Sequence, residues 1–184
     1  MATLTLRPNA GGTHTELHYY DGSIHNPDVN VNYTMVDEAV KDDTSTLVGE
    51  WGTAPIGYEH DTYNVPNHTT ETGTINSVKV IAYVRDGASA THRYYKCVVR
   101  SDGTTTDGTE QDLSGDTNNF IEISQQWNTN PADSQAWEWA DIDALEIGIG
   151  SEKKNAASPE ITQVYVVVDY TPPGAGRSYG FIIG

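Results

Sequence analysis

The sequence predicts an all-β protein: an antiparallel jelly-roll-like β-sandwich followed by an extended C-terminal arm. Three observations lead there. Aromatic and β-branched residues recur in short runs, separated by clusters rich in Gly, Asn, Asp, Ser and Thr. The stronger runs alternate apolar and polar residues, the period of a strand with one face buried. The segments "DGASATH" and "SDGTTTDGTE" read as hairpin turns, with Asp-Gly supplying the left-handed turn residues.

Strands are expected at 3–6, 16–20, 46–51, 57–65, 75–85, 93–101, 110–113, 119–127, 145–150 and 161–171. Within 77–85, one face carries Val78, Val80, Ala82 and Val84. The other carries Lys79, Tyr83 and Arg85, with Ile81 as the exception. Within 94–100, Tyr95, Cys97 and Val99 oppose Lys96 and Arg100, and Ile121 and Ile123 alternate with Glu122 and Ser124. In the last strand Val164, Val166 and Val168 alternate with Tyr165 and Val167, so cover on both faces is expected. "WADIDAL" holds helix formers, which predicts one helical turn at 139–144 before the next strand.

The sandwich takes up residues 1–171, and 172–184 form a linker and arm. Pro172 and Pro173 stiffen the exit from the last strand, and Gly174 and Gly176 let the chain redirect. The tail "RSYGFIIG" is short and β-prone. Alone it cannot offset the entropy of becoming ordered, so it needs a partner surface. Adding it as a strand to a neighbour's sheet edge meets that need, with Tyr179, Phe181, Ile182 and Ile183 as the docking residues.

Composition narrows the function. The 184 residues carry 26 acidic and 10 basic side chains, a net charge of −16. A nucleic-acid groove needs clustered Lys and Arg, and an anionic membrane surface attracts the same residues, so neither is expected as a partner. No basic-then-apolar leader opens the chain, and no window reaches the ~18 apolar residues of a membrane span. Synthesis in the cytoplasm without a signal peptide is expected, followed by release into a virion or extracellular assembly. The single cysteine, Cys97, excludes an intrachain disulfide and reads as a small buried hydrophobe.

Several motifs carry residue types capable of chemistry. Asp37, Glu38, Asp42 and Asp43 cluster in "VDEAVKDDTST", and Asp141 and Asp143 form a second acidic pair. Asp37, Asp42 and Asp43 are weak candidates for a structural calcium ion, because calcium favours hard oxygen ligands. No D-x-D-x-D-G loop accompanies them, and Asp and Thr also cap turns, so no cofactor is assigned. His14 and His18 are four apart with no third ligand evident. Trp137 and Trp139 share a face if their segment is extended, and such a pair can stack on sugar rings. Covering the open end of the core is the competing use of their large rings. Trp51, Tyr19, Tyr20, Tyr94 and Tyr95 are expected on sheet surfaces or against neighbouring subunits. No nucleophile elbow, phosphate loop or H-E-x-x-H is present, so no catalytic residue is assigned and an enzyme is not expected.

Five segments in order, "TLTLRPNAGGTHTEL", "MVDEAVKDDTSTLV", "YNVPNHTTETGTINSVKVIAYVR", "NPADSQAWEWADIDALEIGI" and "TQVYVVVDYTP", cover most of residues 3–172. Together they resemble jelly-roll β-sandwich virion structural proteins of tailed phages and prophages. The resemblance implies a capsid decoration, head-fibre or tail-associated protein, and it supplies no catalytic residues.

The resulting expectation is a non-enzymatic virion or fibre subunit. It would assemble with itself or with other virion proteins as a homo-oligomer or filament, through sheet edges and the docked arm. The alternative is a carbohydrate- or receptor-binding module using Trp137 and Trp139, which fails if both rings are buried.

Overall fold

The structure is a computed structural model that describes residues 1–42, 45–51, 57–86, 93–113, 119–153 and 158–174. In chain order its strands are β1 (Ala2–Leu6), β2 (Ala10–Thr15), β3 (His18–Tyr20), β4 (Ile24–His25), β5 (Leu47–Gly49), β6 (Glu59–Asn64) and β7 (Thr74–Asp86). They continue with β8 (Arg93–Ser101), β9 (Thr104–Asp107), β10 (Gln111–Asp112), β11 (Ile121–Trp127), β12 (Glu146–Lys153) and β13 (Pro159–Thr171). A 3-10 turn at Asn32–Met35 and a short helix, α1 (Trp139–Asp143), complete the described elements.

Two antiparallel sheets use these strands. The first has the order β11–β7–β13–β5–β3–β4, with β1 also paired to β13. The second has the order β10–β8–β12–β6–β2, with β9 also paired to β8. The chain is therefore an all-β, jelly-roll-like sandwich, as its alternation predicts. The arm residues Tyr179, Phe181, Ile182 and Ile183 lie outside the described residues, as does most of "DGASATH".

Alternation explains the packing of β7. Val78, Val80, Ala82 and Val84 are completely buried and face the second sheet's Cys97, Val99, Ile147 and Ile149 in one core. Burying each Val side chain contributes about 1.5–3 kcal/mol. Ile81, on the other face, is still buried because it lies between Tyr165 of β13 and Ser124 of β11.

Strand β13 is covered on both faces only in its first half, where Pro159 through Val164 are all buried. The cover is the segment carrying the acidic cluster. Val36 O accepts a 2.9 Å hydrogen bond from Val164 N, and Glu38 O accepts one from Gln163 Nε2. Asp42 Oδ1 accepts from Thr162 Oγ1 at 3.2 Å. A β-bulge lies at this point: Ile161 opposes Val84 while Gln163 opposes Tyr83, which leaves Thr162 as the extra residue. From Tyr165 onward the strand alternates, with Val166 and Val168 in the core.

Other elements depend on interactions that leave no hydrophobic pattern. Asp102 (φ 49°) and Gly103 (φ 76°) both adopt the left-handed backbone that a two-residue hairpin turn demands. The threonines after them return as β9 instead of extending the turn. Strand β2 fits closely against its neighbours because it begins Ala-Gly-Gly: a Cβ on Gly12 would stand 2.5 Å from Glu146 Oε2 and 2.6 Å from the Thr62 carbonyl. Beside it, the fully buried Asp61 carboxylate accepts from Glu16 N (2.7 Å), Leu17 N (2.9 Å), Asn32 Nδ2 (2.6 Å) and Tyr63 OH (3.2 Å). Burial pushes this carboxyl up to about 7, against the pull of its four donors. These bonds tie β6 to the entry of β3 and to the 3-10 turn.

Candidate functional site

Strand registers place six residues on one outer face of the first sheet. Opposed residues in an antiparallel pair point to the same side. Arg85 opposes Glu160, Glu160 opposes Gly49, Leu47 opposes Tyr20, and Tyr20 opposes Ile24. Trp51 follows Gly49 by two residues, which returns it to the same side while the chain stays extended. Arg85 follows the core residue Val84 and points away from the second sheet, so this face is the outward one.

These six residues line a pocket of about 340 Å³. Leu47 is buried and Ile24 is 53% exposed at the open side. Tyr20 and Trp51 stand with ring centroids 6.1 Å apart and planes tilted by 40°. The polar wall is one connected unit: Glu160 Oε2 accepts from Arg85 Nε at 2.7 Å, and Glu160 Oε1 accepts from Trp51 Nε1 at 3.4 Å. The pocket therefore offers two aromatic faces beside a fixed guanidinium–carboxylate pair. Gly49 is needed for this, because a Cβ there would meet Pro159 O at 2.2 Å and crowd the Trp51 ring at 3.1 Å.

Among the described residues that line the pocket, Glu160 is the one carboxylate.

The tryptophans singled out from sequence do not form an exposed pair. Glu138 is extended and α1 begins at Trp139, so the two rings diverge at the helix start. Trp137 is 4% exposed, packed in the core, and donates from Nε1 to Trp127 O at 3.1 Å. Trp139 is half-buried at the sandwich end, donating to Gly73 O at 3.0 Å with its ring against His68 and Tyr170. Trp137 is a core residue, the competing use of its large ring, so the alternative of a shared sugar-binding face with Trp139 does not hold. Tyr95 is likewise completely buried, although a sheet-surface position is expected for it.

The acidic clusters serve the fold. The Thr46 hydroxyl lies 2.7 Å from Glu38 Oε1 and 2.8 Å from Asp42 Oδ2. Burial raises the carboxyls of Asp37 and Glu38 above their ordinary range. Asp43 lies outside the described residues. Asp141 closes the capping box of α1 by accepting from Glu138 N at 2.8 Å, and Asp143 accepts from His68 N at 2.9 Å. His14 and His18 sit in different sheets, on β2 and β3. Among the described residues, no three His, Cys, Asp or Glu side chains are grouped to hold a metal ion. No described helix is long and apolar enough to cross a membrane.

The pocket residues carry little signal in the sequence. Trp51 and Tyr20 read only as surface aromatics, and Ile24 and Glu160 carry no motif. The six come from five strands and the second residue after β5, and only the strand registers unite them.

No family model matches the chain, and no curated protein sequence matches it. Among solved structures, the chain is similar to the C-terminal family 6 carbohydrate-binding module of LamC, a marine laminarinase from Zobellia galactanivorans. That match has 13% identity and a TM-score of 0.45, covering 91% of this chain and 100% of that one. It is also similar to the CBM22-1 xylan-binding domain of Xyn10C from Paenibacillus barcinonensis, at 11% identity and a TM-score of 0.47, covering 91% and 94%. A third likeness is to a chain of Broad Bean Stain Virus, at 12% identity and a TM-score of 0.31, covering 91% and 82%. At these TM-scores the likeness carries no functional weight.

Proposed function

We propose that this protein is a non-catalytic carbohydrate-binding β-sandwich whose ligand seats against Tyr20 and Trp51. The observation that carries the reading is the juxtaposition of that ring pair with the Arg85–Glu160 pair in one pocket of about 340 Å³. A pyranose presents C–H faces that pack on aromatic rings and a rim of hydroxyls that donate and accept hydrogen bonds. Arg85 supplies donors, Glu160 supplies acceptors, and both are already oriented, so little ordering entropy is lost on binding. The pocket is near the lower end of the roughly 300–1,000 Å³ typical of small-ligand sites, a size for about one or two sugar rings. Among its described lining residues Glu160 is the one carboxylate, where glycoside hydrolysis uses two facing ones, and this supports binding without hydrolysis.

The test is a glycan array followed by calorimetry on the hits, using wild type and Trp51→Ala. Binding is expected for wild type and at least a tenfold loss, roughly 1.4 kcal/mol, for the variant. Unchanged circular dichroism would show that the variant is folded. Glycan binding indifferent to Trp51, or no binding to any glycan, overturns the reading.

A further inference from the structure

Strand β1 is an open edge of the first sheet. Its one strand partner among the described residues is β13, with Ala2 opposite Tyr170 and Leu6 opposite Val166. Alternate residues of an antiparallel strand turn their N–H and C=O groups away from the partner. Among the described residues, no further hydrogen bond reaches those groups of β1. Thr3 and Thr5 are exposed, Ala2 and Leu4 are half-buried, and Leu6 is buried. Leu4 packs on the core and still leaves part of its side chain uncovered.

Open sheet edges are normally guarded by charge or kept short. Here β11 carries Glu122, β9 carries Asp107, β10 carries Asp112, and β4 has two residues. Strand β2 directs Thr13 N and His14 N to the side chains of Glu146 and Thr62. Strand β1, Ala-Thr-Leu-Thr-Leu, has no charged side chain, in a protein with 26 acidic and 10 basic ones. A strand from a second copy can approach this edge without meeting a carboxylate on it.

The sequence supplies such a strand. Ten residues follow Gly174, outside the described ones. All 26 acidic side chains precede them, and Arg177 is their one charged side chain. Extended, ten residues span about 33 Å, against about 17 Å for the five of β1. In extended form Tyr179, Phe181 and Ile183 fall on one side, and Ser178, Gly180 and Ile182 on the other. The first row matches the Ala2, Leu4 and Leu6 row of β1, and the second matches Thr3 and Thr5.

The end of β13 decides which copy receives the arm. Thr171 pairs with Thr74 of β7, and a Cβ on Gly73 would stand 3.0 Å from both Pro172 and Pro173. The chain therefore leaves on the β7 flank of β13, and β1 lies on the opposite flank. An arm returning to its own β1 would have to cross the end of β13. It would then run parallel to β1, because both would start from the Tyr170 end. The arm of another copy comes from outside and can run antiparallel, the more stable ladder.

We infer that β1 is a docking edge for the C-terminal arm of a second copy of this chain. Residues Tyr179–Ile183 of one copy add antiparallel to Ala2–Leu6 of the other, and Tyr179, Phe181 and Ile183 cover Leu4. Each copy has both an arm and an edge, so two copies can exchange arms about a two-fold axis. No residue of β1 is among those lining the Tyr20–Trp51 pocket, so the two surfaces are separate.

The experiment uses the full chain. Light scattering after size exclusion is expected to give wild type twice the 20.1 kDa chain mass, and Phe181→Asp the chain mass with unchanged circular dichroism. Thr5→Cys and Ile182→Cys are then prepared separately, mixed, and treated with a short bis-maleimide, to which the buried Cys97 is inaccessible. A cross-link between the two variants is expected, and adding Phe181→Asp to the second removes it. Larger assemblies that fall to the chain mass in Phe181→Asp uphold the docking, in an open row of copies. Wild type at the chain mass overturns the inference, as does an oligomer that survives Phe181→Asp. Thr5→Cys cross-linking only to itself assigns the edge to β1–β1 pairing and overturns it too. So does a Thr5→Cys, Ile182→Cys double variant that cross-links within one chain, because the arm then docks on its own sandwich.

Discussion

The Tyr95 hydroxyl crosses from the second sheet to the first, donating a 2.6 Å hydrogen bond to the Arg85 carbonyl oxygen. The same hydroxyl accepts from Glu160 N at 3.2 Å. It therefore fixes, from inside the core, the backbone of both residues whose side chains form the polar wall of the pocket. Tyr95→Phe leaves a buried carbonyl and a buried N–H short of a partner. A loss of about 1–3 kcal/mol in urea denaturation is expected, with weaker glycan binding. Wild-type binding in a destabilised Tyr95→Phe protein would separate the two roles.

Trp51 and Trp137 should respond in opposite ways to truncation. Trp137→Ala empties a core position and is expected to cost about 3–5 kcal/mol, seen as a large drop in Tm. Trp51 is only partly buried beside an open pocket, so Trp51→Ala should keep most of the stability and lose the ligand. A Trp137→Ala protein with wild-type Tm would contradict the packing described.

Glu146 makes stability depend on acid pH. Burial pushes its carboxyl up, but bonds from the Thr62 hydroxyl (2.6 Å) and from Thr13 N (2.8 Å) and hydroxyl (2.7 Å), with Arg100 at 3.2 Å, outweigh burial and hold it below its ordinary value of 4.5. A folded pKa below the unfolded one means the contribution is fully present above about pH 4.5 and is lost as pH falls through the lower folded value. Denaturation of wild type and Glu146→Gln between pH 3 and 7 tests this. The wild-type advantage, about 2 kcal/mol or more, should hold steady at the upper end and shrink at the lower. An advantage independent of pH would sink the assignment.

Gly12 has no room for a methyl group, because its neighbours there include the Thr62 backbone, which cannot swing aside. Gly12→Ala should cost about 1–3 kcal/mol and disturb the Glu146 bonds. The matched control is Gly22→Ala, where open space surrounds the Cβ position and only its φ of 113° opposes substitution.

The fold was legible where burial imposes a period. Val78, Val80, Ala82 and Val84, and later Val164, Val166 and Val168, announce strands because one side of each must meet the core. Strand β2, Ala-Gly-Gly-Thr-His-Thr, carries no such period, since close backbone approach and carboxylate bonds hold it. Strand β9 was hidden in a run of threonines beside its own turn. The pocket was hidden for another reason. Its residues span positions 20 to 160, and only cross-strand pairing makes them neighbours. Trp137 and Trp139 drew attention by adjacency in sequence, but the start of α1 sends one inward and leaves the other at the sandwich end.

The extra residue in β13 also sets a rule for how this gene can change length. Before Thr162 the odd-numbered Ile161 faces inward, and after it the even-numbered Val164 does. Removing that one codon would leave Glu160 outward, Ile161 inward, Gln163 outward and Val164 inward, the alternation of a regular strand in the register already paired with β7. A deletion at Thr162 should therefore be tolerated better than one elsewhere in the paired stretch, where every residue beyond it would change sides, and its chief cost is the bond to Asp42.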